Sequence, residues 1–505
     1  METMDLLLQA FNHELNYAHT SLAIIPTVLI PLTGLAVIAS SIATVVASWF
    51  GIKLKTEGPK QLLEVLLTKK VILSAIILNL AFFGATKAYH YVKTSAVPLF
   101  YIEYKSGQLK KISAEKQFED NLTRIHSYNN PNLEKDNDSL TLSLKEVWVE
   151  KIPKGAFRSI TPSSQSLFLG ADDGFVYELS SSSGKINRTF YVGTQVTTRP
   201  VILKNKLYVG EGNHETHHAR IYAFDLLNGH FINAFETIGH TEGQPIALVN
   251  KSTDTLLVTA GKDGLYAVDA QTMKPLWHVN DGHLDATVSV EGEKVFAGTG
   301  KEKGLPFDRS YASAYDLNTG NTLWKKELPL SNWMHPILST QDVCYVLGEI
   351  YTESDVGFFY CLNKNNGEAS FSIPFNSPLV GKPLYIKSNQ FEYAFVSGML
   401  GEICAINITT KNKLWCHETG TKKTNYALNS FSYDPKRNVL WYASFDNGLY
   451  ALSPSSGKIL LHWFPEKNST SPWKKTMASA SIEGDSIYLV DLKGFIRRLN
   501  IEMTL

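Results

Sequence analysis

The chain has 505 residues, with 48 Lys+Arg balanced by 48 Asp+Glu, so its formal net charge is zero. That balance excludes the basic excess of a nucleic-acid surface, and no nucleic-acid partner is expected. Its four cysteines include no Cys-x-x-Cys, which speaks against a zinc site built from cysteines.

The first 20 residues carry only Glu2, Asp5 and Glu14 among the four strongly charged types. An uncharged apolar run from Ser21 to Phe50 follows, and a second runs from Val71 to Val92, broken only by Lys87. Each exceeds the roughly 20 residues that cross a bilayer, so residues 21–92 are predicted to be a two-helix transmembrane hairpin. Its loop, 51–70, holds Lys53, Lys55, Lys60, Lys69 and Lys70 against Glu57 and Glu64. The positive-inside rule places that loop in the cytoplasm and both termini outside. The expected location is the inner (cytoplasmic) membrane, multi-pass, with the rest of the chain periplasmic. An organelle lumen is the eukaryotic counterpart. Neither run has an ionisable residue at its centre, so the hairpin reads as an anchor. Residues 93–144 read as a linker, with Asn121–Ser139 polar enough for a flexible tether.

From residue 145 to 505 one pattern recurs: an apolar strand, a Gly turn, aromatic-Ala-apolar-Asp, a polar turn and an aromatic. The positions equivalent to Asp269 are Ser180, Asp225, Asp316, Asn363, Asn407, Ser453 and Asn500, a period of about 45 residues. Strand-turn-strand repeats of that length predict an all-β, eight-bladed β-propeller of four-stranded blades. Phe190, Phe235, Trp277, Trp324, Phe371, Trp415 and Trp463 mark seven outer strands, but only five residues follow Asn500. The strand around Trp148 is therefore expected to supply the missing outer strand of the last blade and close the ring.

The cysteines flank two hairpin turns. Cys344 and Cys361 flank the one around Thr352, and Cys404 and Cys416 the one around Thr410. Two states are open: cross-strand disulfides 344–361 and 404–416, or buried thiols. An oxidising compartment favours the bridges.

The histidines break the repeat. Gly239-His240-Thr241-Glu242 and Gly282-His283-Leu284-Asp285 share the pattern Gly-His-x-acid at equivalent points, just before the inner strands of blades 3 and 4. His214 and Glu211 lie in the loop expected on the same face of blade 2, His335 stands at the start of blade 5, and Glu349 is placed like Glu211. His214, His240, Glu242, His283 and Asp285 form a candidate divalent-metal set, since imidazole and carboxylate suit zinc and similar ions. The alternative is that they cap strands and bind loop backbone. Arg199 and Lys382 each precede a Pro at a strand start and complete a candidate channel rim whose charge suits an anionic ligand.

The phrase Leu449-Tyr450-Ala451-Leu452-Ser453-Pro454-Ser455-Ser456-Gly457-Lys458, with its relatives ending in Leu-Trp, resembles the repeats of PQQ-binding-like propellers. That family includes the quinoprotein dehydrogenases and the propeller lipoprotein of the outer-membrane β-barrel assembly machinery, so the resemblance implies the fold and leaves the activity open. The dehydrogenases hold PQQ on the axis with a tryptophan platform, calcium ligands and a catalytic Asp, often beside a disulfide of adjacent cysteines. This chain has no adjacent cysteines, and it lacks the large insertions of those enzymes. The expectation is a membrane-anchored periplasmic scaffold or binding module with a protein partner in the envelope, without PQQ. The alternative is a metal- or ligand-dependent enzyme or sensor using the His/acid rim of blades 2–5, with a PQQ-dependent dehydrogenase as the less favoured third reading.

Overall fold

The computed structural model describes residues 127–504, apart from 136, 213–217, 250–252, 302–308, 351–355, 420–428, 466–472 and 474. The expected hairpin 21–92, the linker up to residue 126, and His214 lie outside the described residues. Among those described, no helix is long and apolar enough to cross a membrane.

The described chain is an eight-bladed propeller of antiparallel, four-stranded blades. Blades 1 to 7 occupy residues 161–191, 201–237, 246–279, 289–328, 337–375, 384–418 and 431–463. In blade 3 the strands are Ile246–Leu248, Thr255–Thr259, Leu265–Asp269 and Pro275–Val279, hydrogen-bonded in that order. Thr255–Thr259 is buried at every position, while Pro275–Val279 is exposed or half-buried throughout. Blades stack face to face, so a middle strand is covered on both sides and reads as a continuous apolar run.

The recurring Asp is a turn-maker. Asp269 Oδ1 accepts the backbone N–H groups of Gln271 and Thr272, both at 2.8 Å. Asp225, Asp316, Asn363 and Asn407 bind their own turns in the same way, which is how Asx side chains fix a turn. The recurring Trp joins blades. Trp148, Trp277, Trp324 and Trp415 each donate Nε1–H to a backbone carbonyl of the next blade, at Ser181, Leu317, Lys364 and Pro454 respectively. Beneath each ring lies a glycine of that neighbour's turn. A Cβ on Gly367 (φ +71°) would fall 2.7 Å from Trp324, and one on Gly457 (φ +74°) 2.5 Å from Trp415. The Gly of the repeat is thus required twice, by the left-handed backbone and by the indole above it.

Ring closure is as expected. The strand Thr141–Lys151 pairs antiparallel with Phe495–Thr504, and the sheet continues through Ser486–Val490 to Ser481–Glu483 as blade 8. The innermost strands of blades 8 and 1 touch, so no seam remains.

The tether expectation is corrected from Ser127 onward. Ser127–Asn129 is a strand, paired in parallel with the innermost strand of blade 6, Leu384–Lys387. Leu133 is buried among Leu384, Phe431 and Tyr433 of blades 6 and 7, and Asn130 donates to the Tyr433 hydroxyl. An innermost strand has its free edge toward the axis, so this added strand lies in the channel. Tyr128 faces Tyr433 edge-on at 5.2 Å. The linker is polar in composition, yet its few apolar side chains suffice to seat it there.

Candidate functional site

Each blade begins with a connection running from its neighbour's outer strand to its own innermost strand. Eight-fold repetition brings these connections together around the axis. Two residues before each innermost strand the chain is polar in every blade: Arg199, Gln244, Thr287, His335, Lys382 and Asn429 in blades 2 to 7, and Ser159 and Ser479 in blades 1 and 8. Pro follows at Pro200, Pro245, Pro336 and Pro383. It fixes the backbone where the chain turns from the rim into the sheet.

A cavity of about 60 Å³ opens among these connections, lined by Arg158, Glu242, Asp285, Thr287, His335 and Lys382, with Trp333, Met334 and Ile350 as its apolar wall. Of the expected site residues the structure therefore brings together Glu242, Asp285, His335 and Lys382. His240 and His283 lie directly behind Asp285. The Asp285 carboxylate is 2.7 Å from His240 Nε2 and 2.8 Å from His283 Nε2, and all three side chains are buried. Gly261 permits this, since a Cβ there would sit 2.6 Å from the His240 ring.

Burial alone would raise the Asp285 carboxyl. Hydrogen bonds and charge from His240 and His283 outweigh it and hold the group well below the usual carboxylate range. His335 moves the other way: burial, then the nearby Lys382 charge, pushes its imidazole down to about 3. Burial also lowers Lys382, with Arg158 and Arg199 adding repulsion, to about 7. Desolvation and like charge both disfavour the ammonium.

The remaining expectations are corrected in part. Glu242 is not with the two histidines; it faces Arg158 Nη2 at 3.5 Å. Glu211 is a buried structural acceptor for Thr194 Oγ1 at 2.8 Å and the Tyr222 hydroxyl at 3.0 Å. Glu349 does the same for the Ser331 hydroxyl at 2.8 Å. Both carboxylates pin the loops above their own blades and neither lines the cavity, so capping explains them. Arg199 donates to Thr161 Oγ1 and the Ile160 carbonyl at 3.2 and 3.0 Å, tying blade 2 to blade 1. Sequence reasoning missed Arg158, Thr287 and Trp333. Arg158 occupies the blade 1 connection as Arg199 does that of blade 2, a signal that aligning the connections would have exposed.

The cysteines form two cross-strand pairs. Cys344 stands opposite Cys361 in blade 5 and Cys404 opposite Cys416 in blade 6, with sulfurs 1.98 and 2.04 Å apart. No free cysteine remains.

Repeat and closure together make this an eight-bladed β-propeller, similar to the PQQ-like propellers. Residues 308–496 match the family model described as outer membrane protein assembly factor BamB. The fold is similar to that of BamB from Moraxella catarrhalis, at 13% identity and a TM-score of 0.51, covering 71% of this chain and 100% of that one. It is also similar to quinohemoprotein alcohol dehydrogenase from Comamonas testosteroni, at 13% identity and 0.53, covering 71% and 76%. Among curated proteins, tetrathionate hydrolase of Acidithiobacillus ferrooxidans is 23% identical over 188 residues, 32% of this chain and 35% of that protein. The match thus spans about a third of that relative's length.

The disulfide of adjacent cysteines found in many PQQ dehydrogenases has no counterpart here, since both disulfides join opposite strands within single blades.

Proposed function

We propose that the chain is a membrane-held, extracytoplasmic binding module that acts in envelope assembly through a protein partner, without chemistry of its own. The observation that carries this is the match of residues 308–496 to the assembly-factor model, joined to a fold that covers the whole of the Moraxella BamB chain but 76% of the alcohol dehydrogenase. The two apolar runs at 21–92 and the lysine-rich loop between them support the anchor and its orientation. The two disulfides support an oxidising compartment such as the periplasm. The blades leave only short edges, so the partner surface is sought on these edges and on the loops of either face.

The test is crosslinking in intact cells, membrane solubilisation and purification through the propeller. Recovery of a stoichiometric envelope protein is expected; a chain that purifies alone after crosslinking overturns the assembly role.

A second reading has its own observation. His240, His283 and Asp285 offer ligand atoms all within 4.8 Å of one another, a donor set suited to zinc or iron. Stoichiometric metal in protein purified without chelator, lost in His283→Ala, is the result this reading requires. Metal-free protein whose melting temperature ignores added zinc removes it.

A further inference from the structure

The axial cavity is lined by a lysine, Lys382, that neither turn chemistry nor blade packing requires. Arg158 and Lys382 line it, and Arg199 is near enough for its charge to act on Lys382. Two carboxylates face them: Glu242, 3.5 Å from Arg158, and Asp285, already engaged by His240 and His283. Within the lining the two cations match two carboxylates in number, but the carboxylates are engaged elsewhere, one with Arg158 and the other with the two histidines. Among the described residues no hydrogen-bond acceptor or carboxylate reaches the Lys382 ammonium. Lys382 is half-buried, and a partly desolvated charge without a partner is destabilising unless something supplies the missing acceptor.

The walls say what that something is. Beside the cations stand Trp333, Met334 and Ile350, an apolar surface that would not stabilise a fully hydrated inorganic ion. Arg158 is held through Nε to the Thr197 carbonyl at 2.8 Å, which aims the guanidinium while its contact to Glu242 stays long. A guanidinium and an ammonium across a small cavity match a carboxylate, the one as a planar fork and the other as a point charge. The volume, about 60 Å³, admits only a few heavy atoms.

We propose that the cavity between Arg158 and Lys382 binds a small organic anion, its carboxylate meeting the two cations and its short apolar part lying on Trp333, Met334 and Ile350. The carboxylate comes either from a free short-chain acid or from an acidic side chain of a peptide. Glu242 is the ligand's competitor for Arg158. This inference stands apart from the assembly reading, since partner capture and anion titration succeed or fail separately.

The experiment uses the full chain in detergent, treated with chelator so that no metal mediates the response. At fixed ionic strength it is titrated with acetate, propionate, butyrate and a short acidic peptide, with chloride as the control. Melting temperature and intrinsic tryptophan fluorescence are followed, the latter also in Trp333→Phe, whose difference from the parent isolates the cavity wall. A saturable response to a short carboxylate or to the peptide, absent with chloride, is expected, and which arm responds identifies the source. Lys382→Met and Arg158→Gln each weaken the response about tenfold or more, and Glu242→Gln strengthens it by several-fold. The melting temperature of each variant without ligand reports whether it has folded. No saturable response to any carboxylate, or an equal response in folded Lys382→Met, overturns the proposal.

Discussion

At Asp285, burial and hydrogen bonding pull the same proton in opposite directions, and the two histidines win. A carboxyl whose folded pKa lies below its ordinary 3.8 contributes stability above that value and loses it as pH falls through the folded one. His335 adds to the acid sensitivity. With its imidazole near 3 when folded and 6.5 ordinarily, the unfolded chain takes up that proton first, so stability drains away between pH 6.5 and 3. Melting curves across this range should show a progressive fall, shallower in His335→Gln. Lys382 has the reverse sense: near 7 when folded and 10.5 ordinarily, it burdens the fold fully below pH 7 and progressively less up to 10.5. Lys382→Met should therefore raise the melting temperature below pH 7, with the gain shrinking toward pH 10. A group retained against stability is what a binding role predicts. The sequence made Lys382, His335 and Asp285 visible because each breaks an otherwise repetitive connection. It did not separate Glu242 from the histidines, since two residues along a loop decide whether a side chain faces a neighbour's imidazole or the axis.

The blade was readable from its period, and the structure adds what each repeated residue does. Trp324 is buried and hydrogen-bonded to the Lys364 carbonyl over Gly367. Trp324→Ala should cost about 3–5 kcal/mol. Gly367→Ala should cost about 1–3 kcal/mol through a left-handed backbone alone, and more through the clash with the indole. Chemical denaturation of both variants measures the losses, and equal stability of Gly367→Ala and the parent would sink the interlock account. The disulfides close loops of 17 and 12 residues. Replacing Cys404 and Cys416 together by Ala should remove about 2–3 kcal/mol, measured as the shift in denaturation midpoint. The cysteine pairing was open in the sequence because a one-residue slip moves a side chain to the opposite face. The ladder put both pairs in register.

For the molecule as a whole, stability is a property of the closed ring. Removing Thr141–Lys151 exposes the edge of Phe495–Thr504 and breaks the seam between first and last blades. Such a truncation should aggregate or lose its cooperative melt, whereas Trp148→Phe, which keeps the strand, should remain folded. The sequence by itself determined the repeat, the blade count, the closing strand and the polar character of the axial connections, because each is written within about 45 consecutive residues or at the two ends of the pattern. Only the tertiary structure decided that Arg158, Glu242, Asp285, His335 and Lys382 share one cavity, that Glu211 and Glu349 do not, and that Ser127–Asn129 occupies the channel. The cavity alone joins residues from Arg158 to Lys382, in blades 1 to 6. They arise from closing eight blades about an axis, a global constraint that no local period records.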